Sequence, residues 1–292
     1  MSWHFSGDVA EFRRNAGDHL ARDPARCTAL LTLSEALSRP GAGAEAPAPG
    51  RPPSLFGWWR PGAGAAVGAA FVQVPPHLPQ LGPMPGPAAR ALARALRSEG
   101  VPVRAVRGED ESARVFADAW AGGAGGAGGW TATRRMRLFR LGEPVPPHPA
   151  PSGRARRATP SDVPLVAAWT RRYAADIGED PTADHTPDVT RRVAHGGLYV
   201  WEDGGRPVSM AARSPLVAGQ SRVSVVYTPA ELRGRGYAAG VTAAVGRAAL
   251  HEGARHVLLF TDLANPTSNA LYRRLGYRPL ADHLAVSFAG DG

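Results

Sequence analysis

Apolar and polar positions alternate in short bursts along this chain, with Gly- and Pro-rich turns between them. In the first half, residues 8–21 and 23–38 carry apolar side chains at helical spacing, and Asp23-Pro24 offers a cap and a first-turn proline. Leu55–Arg60 and residues 65–74 read as strands, bounded by turn residues. A helix follows over 87–98, with Ala88, Leu92 and Leu96 on one face, then a strand over 101–106, a helix over 109–120 and a closing strand over 131–141. The second half repeats the rhythm. Ser161-Asp162 caps a helix to about Ala175, and Asp188 caps a short one to His195. Residues 198–202 and 207–213 flank Asp203-Gly204-Gly205 as a hairpin. A strand over 221–228, a helix over 238–251, a strand over 256–261, a helix over 268–275 and a strand over 281–288 complete it, with Ser268 as the last helix's cap and Gly276 as its terminator. Both halves are mixed α/β, and their similar element order suggests duplication without evident sequence identity.

Three stretches interrupt these elements. Residues 40–53 are mostly Pro, Gly and Ala, 122–129 read GGAGGAGG, and 141–158 hold five prolines and three arginines. The first two read as surface loops and the third as a linker. With 292 residues, about two domains are expected: 1–141, a linker at 142–158, and 159–292.

Composition narrows the function classes. The net charge is +9, yet the basic residues are all arginine and are scattered. No basic stripe with interleaved aromatics appears, so arginine-rich codon usage of a GC-rich bacterial genome explains the charge better than nucleic-acid binding does. No window has the length of apolar residues a membrane span needs. The N-terminus lacks a signal peptide's pattern, so a cytoplasmic protein is expected. The one cysteine, Cys27, lies in an apolar helical run and reads as a buried structural thiol.

Chemistry concentrates at Arg233-Gly234-Arg235-Gly236-Tyr237-Ala238, between a strand and a helix. Glycines allow close backbone approach, the helix N-terminus presents N–H groups, and two arginines add charge, so the loop reads as a phosphate site. It is neither GxxxxGK[ST] nor GxGxxG, because Gly240 is out of register. Upstream, Thr228-Pro229 ends the strand, so pairing should loosen at Val226 and Tyr227 and leave backbone groups for an extended ligand. Downstream, Asn269 and Tyr272 share a helix face behind Asn265.

These three segments, Val225 to Pro229, Arg233-x-x-Gly236-x-Ala238, and Asn265-x-x-x-Asn269-x-x-Tyr272-x-x-x-Gly276-Tyr277, resemble the GCN5-related N-acetyltransferase (GNAT) family over residues 159–288. The whole chain resembles two-domain bacterial members whose N-terminal half is degenerate, through Leu55–Arg60 and Val74-Pro75-Pro76-His77. Loop glycines are missing near Met84-Pro85-Gly86-Pro87, so no cofactor site is expected there. The resemblance implies tandem domains, each a twisted mixed sheet flanked by helices, and acetyl-CoA as acyl donor, without a metal. It implies that Val225, Val226 and Tyr227 pair with the pantetheine arm and that Arg233, Gly234, Arg235, Gly236, Tyr237 and Ala238 hold the pyrophosphate. It further implies that Asn265 and Asn269 line the cofactor and that Tyr272 is the general acid. The acceptor would be a small-molecule or protein amine, and the protein a monomer or homodimer. The strand over 221–228 lacks the carboxylate that serves as base in many members, so Glu179 is the leading candidate, with Asp180, Asp262 and Glu231 as the others; the alternative is that all four are solvated loop charges and water or Tyr227 relays the proton. A non-catalytic CoA-binding or interaction module is the alternative.

Overall fold

The computed structural model describes residues 2–38, 53–122 and 129–289; most of the expected loops at 40–53 and 122–129 lie outside them. In chain order the first elements are β1 (Ser2–Ser6), α1 (Val9–Arg22), α2 (Thr28–Leu37), β2 (Leu55–Arg60), β3 (Ala69–Gln73), β4 (Gln80–Leu81), α3 (Gly86–Ser98), β5 (Ala105–Glu109), α4 (Asp110–Ala121) and β6 (Trp130–Leu141). Then come β7 (Arg154–Arg157), α5 (Val163–Asp176), α6 (Thr186–Ala194), β8 (Leu198–Asp203), β9 (Arg206–Arg213), β10 (Gln220–Tyr227), α7 (Tyr237–His251), β11 (His256–Asp262), α8 (Pro266–Arg274) and β12 (Tyr277–Phe288). The mixed α/β class expected from the hydropathy pattern is the class observed.

The chain forms two units, and they are not consecutive halves. The first comprises 1–138, 262–264 and 280–292; the second comprises 139–261 and 265–279. The expected boundary therefore misplaces the last strand. Residues 283–287 of β12 pair antiparallel with 105–109 of β5, so the first unit runs β1-β2-β3-β4-β5-β12-β6. The physical reason is burial. Leu284, Val286 and Phe288 enter a core with Phe71, Leu92, Leu96 and Phe116, a destination that alternation alone does not encode. In that unit Cys27 is buried, as expected, and burial pushes its thiol up to about 12.

The second unit carries β11-β10-β9-β8-β7 with α5 and α6 against one core cluster and α7 against another. Here the expected linker is shorter than 142–158, because 154–157 pair with 199–202 as β7. Several caps also move. Asp23 accepts from the Arg26 N–H and closes a turn, so α2 begins only at Thr28. Thr159, not Ser161, opens the turn before α5, in a capping box with Asp162. Asp188 lies inside α6, where it pairs with Arg191 and Arg192 instead of capping. Asn265, not Ser268, caps α8 by accepting the Ser268 N–H at 3.0 Å. Gly276 ends α8 as expected: its φ is +94°, and a Cβ there would come within 2.0 Å of the Glu143 carbonyl oxygen.

Candidate functional site

The site begins where β10 leaves its neighbours. Its parallel pairing with β11 runs from Gln220↔His256 to Val223↔Leu259 and stops. On the other side, pairing with β9 skips from Ser224 to Tyr227, and Val225 at the break has φ +51°. That is a β-bulge, a strained conformation for a β-branched residue. It lies one residue upstream of the loosening expected at Val226 and Tyr227. The far side of the bulge is pinned. Ser209 Oγ donates to the Tyr227 carbonyl at 2.9 Å, and Tyr227 packs against Trp169 with ring centroids 6.3 Å apart.

Beyond Pro229 the chain makes a short turn over Ala230–Leu232 and enters the glycine loop. Gly234 and Gly236 both have φ +79°, a left-handed conformation that a side chain would strain. Gly236 is the N-cap of α7, and no side chain caps that end. The first ladder bond is Gly240 N–H to Gly236 carbonyl, so the earlier N–H groups of α7 have no partner within the helix. Nothing lies within 4 Å of where a Gly234 Cβ would be. An open cradle with unspent donors and a positive helix end suits a pyrophosphate.

Two features that hold this cradle were not foreseen. Arg233 turns back: its Nε donates to the Thr228 carbonyl at 3.0 Å, and its guanidinium pairs with Asp176 at 2.7 Å. This ties the loop to the last residue of α5. Tyr237 is buried, and its hydroxyl donates to Asp203, the last residue of β8, at 2.5 Å. Ser152 donates to the same carboxylate at 2.8 Å, and these bonds, Tyr237's first, lower the Asp203 pKa. Pro151 packs against Gly236, close enough that a Cβ on the glycine would lie 3.4 Å from the proline ring. No motif marks Asp176, Asp203 or Pro151, because each acts through a contact remote in sequence.

The other expected residues are placed as follows. Arg235 is exposed and Ala238 half-buried at the start of α7. Asn269 is buried and donates through Nδ2 to the Asn265 carbonyl at 2.8 Å, so both asparagines shape the N-terminus of α8. Tyr272 is 7% exposed and packs edge-on to Tyr277, 6.0 Å between ring centroids. Burial first, and nearby Tyr173 second, push its phenol pKa upward. Among the carboxylates, Asp262 is engaged by Arg134 at 3.1 Å. Asp180 accepts from the Thr182 N–H and hydroxyl in its own turn, and Glu231 is exposed. Glu179 is exposed too, and its N–H donates to the Ala174 carbonyl at 2.8 Å after Gly178 closes α5. It thus stands three residues past Asp176, the residue that Arg233 holds. Among the described residues, no group of three or more His, Cys, Asp or Glu side chains could hold a metal, and no helix is long and apolar enough to cross a membrane.

Comparison with known proteins gives one family match and several matches of fold. The profile of the acetyltransferase (GNAT) family matches residues 164–277. An acetyltransferase from the GNAT family from Colwellia psychrerythraea is 10% identical, with a TM-score of 0.61 over 99% of each chain. A GCN5-related N-acetyltransferase from Sphaerobacter thermophilus is 16% identical, with a TM-score of 0.61 over 99% of this chain and 96% of that one. A Drosophila protein is 12% identical, with a TM-score of 0.63 over 98% of both. Curated proteins give no match. Residues 164–277 are thus similar to the GNAT acetyltransferase family, and the solved structures share the fold along the chain's length.

Proposed function

We propose that this protein transfers an acetyl group from acetyl-CoA to a primary amine, both bound at once. The observation that carries the reading is the joint geometry of β10 and α7: a bulge at Val225 where pairing with β11 has ended, leading in a short stretch of chain to an uncapped helix N-terminus at Gly236. The released backbone at Val225 to Tyr227 pairs with the pantetheine arm, as an added strand would. An N–H there polarises the thioester carbonyl. Gly234, Gly236 and the first N–H groups of α7 take the pyrophosphate, with Arg235 at the rim. Arg233 contributes as a tether to Asp176 and a source of positive potential.

In the reaction the amine nitrogen attacks the thioester carbonyl carbon, the C–S bond breaks, and the sulfur leaves as thiolate. The amine must first be neutral, so a base takes its proton. Glu179 fills that role in this reading, on the strength of its place beyond the Asp176–Arg233 pair. Tyr272 returns a proton to the thiolate, and the second proton, which the nitrogen sheds as it becomes an amide, passes to solvent and restores the phenol. Its upward-shifted phenol is fully protonated at neutral pH, which keeps the proton in place, although it makes the group a weaker acid.

Acetyl-CoA with a panel of amines, including polyamines, amino sugars and peptides with free N-termini, tests this by release of free CoA thiol. Turnover dependent on one amine class, lowered in Glu179→Gln, is expected. CoA binding without transfer to any amine would instead establish the non-catalytic module.

A further inference from the structure

Three contacts fix the guanidinium of Arg233. Its Nε donates to the Thr228 carbonyl at 3.0 Å, a terminal nitrogen donates to Asp176 at 2.7 Å, and the group lies over the Tyr227 ring, 6.0 Å from the centroid. The partners are themselves tied together. Trp169 of α5 packs on the same Tyr227 ring at 6.3 Å between centroids. Ser209 Oγ gives its proton to the Tyr227 carbonyl, so the Thr228 hydroxyl is the donor in the 2.9 Å bond between the two hydroxyls. The end of β10, the first residue of the glycine loop and the last turn of α5 are therefore one connected group.

Asp176 stands at the junction of that group with the segment leading to α6. It is the last residue of α5, and the chain beyond it turns tightly. Ile177 N–H donates to the Tyr173 carbonyl at 3.1 Å, Gly178 N–H to Ala175 at 3.2 Å and Glu179 N–H to Ala174 at 2.8 Å. Gly178 takes φ +71° to close the turn, a conformation that glycine adopts without strain. The backbone of Glu179 therefore follows that of Asp176. Further along, Asp180 accepts from the Thr182 N–H and Asp184 from the Thr186 N–H, both local bonds. Asp176 instead reaches out of its segment to the glycine loop. Both members of the Asp176–Arg233 pair are half-exposed, so the pair contributes little to folding, and its effect lies in what it joins.

We propose that Asp176 is a positioning residue: by holding Arg233 it couples the pyrophosphate cradle to residues 177–185, so that a bound donor steadies the backbone carrying Glu179. A ligand that orders the glycine loop also orders Arg233, and the ion pair passes that order to the end of α5. The inference rests on the reading of the cradle as a CoA site, and it is tested without turnover or a known amine.

The test is hydrogen exchange of the full chain, read by mass spectrometry, with and without saturating coenzyme A. Amides of 177–185 should exchange about fivefold or more slowly with CoA bound, the lower end of ordinary coupling between sites. In Asp176→Asn that slowing should disappear. CoA should still bind this variant by calorimetry, its dissociation constant raised by no more than about the same fivefold, because coupling is reciprocal. Asp176→Glu keeps the carboxylate and should recover most of the slowing. Melting temperatures of parent and Asp176→Asn should agree within about 2 °C, as befits a half-exposed pair. Slowing that survives in Asp176→Asn, or its absence in a parent that binds CoA, would overturn the coupling and leave the CoA reading standing. A parent that does not bind CoA would overturn both. Loss of slowing accompanied by a fall in melting temperature of more than about 5 °C would make Asp176 a structural residue and sink the proposal.

Discussion

At the scale of single residues, the two expected classes of site residue should fail in opposite ways. Gly236 holds α7 open at φ +79°, so Gly236→Glu adds left-handed strain and a carboxylate where the pyrophosphate is proposed to sit. CoA binding should disappear from calorimetric titration, and the melting temperature should fall by a few degrees, since strain of about 1–2 kcal/mol at one residue is felt globally. Tyr272→Phe keeps the ring that packs on Tyr277 and removes only the phenol oxygen. Turnover should fall more than about tenfold while the CoA dissociation constant stays put. Equal turnover in Tyr272→Phe and parent would remove Tyr272 from the mechanism. The left-handed turn at the glycines and the place of Tyr272 on α8 were legible in the sequence because both are local: a turn requires glycine, and a helix face requires spacing. Asp176, Asp203 and Ser209 were not legible. Each acts through a partner between 18 and 57 residues away, at Tyr227, Tyr237 or Arg233, and no spacing rule reports such a contact.

At the scale of elements, type was easier to read than caps. The strand Leu55–Arg60 matches residue for residue, and α1 and α3 start within one residue of expectation. Caps went astray wherever two capable side chains stood close together. Ser161 and Thr159 competed before α5, as Ser268 and Asn265 did before α8, and in each case the winner is the residue just before the first helical turn, whose backbone is not yet helical. The start of α5 has a measurable consequence. Asp162 accepts from the Thr159 N–H and hydroxyl and forms a two-bond pair with Arg156 at 2.7 and 2.9 Å. These interactions, Arg156's first, hold its carboxyl down to about 2. A carboxylate depressed in the folded state adds stability above its unfolded pKa, near 3.9, and loses it as pH falls through the folded value. Asp162 should therefore contribute about 2 kcal/mol at neutral pH, vanishing between roughly pH 4 and 2. Melting temperatures measured across that window should converge for parent and Asp162→Asn at the acid end and separate by several degrees at pH 7. A constant separation at every pH would show that the pair does not govern the titration.

At the scale of the whole molecule, the informative fact is that the last strand belongs to the first unit. β12 starts in residues assigned to the second unit and ends between β5 and β6 of the first. Its hold there is chemically specific. Arg137 makes two bonds to Asp282 at 2.6 and 2.8 Å, and Thr133 donates to the Ala285 carbonyl at 3.2 Å. Leu284 and Val286 are wholly buried, and Phe288 packs against Phe116 and Trp120 at 6.3 and 6.0 Å between centroids. Three such side chains bury on the order of 5–8 kcal/mol of apolar free energy, comparable to the roughly 5–15 kcal/mol that holds a domain folded. Removing the strand would also leave β5 and β6 with open edges, prone to pair with other chains. A fragment of residues 1–141, the unit that linear reading proposes, should therefore not fold alone. By circular dichroism it should lack a cooperative thermal transition, and it should aggregate. Joining residues 277–289 to it through a flexible linker should restore the transition, and Leu284→Asp in that segment should abolish the rescue. A fragment 1–141 that melts cooperatively without the added strand would show that the first unit is complete in itself, and that β12 is an ornament on a core built by its own residues.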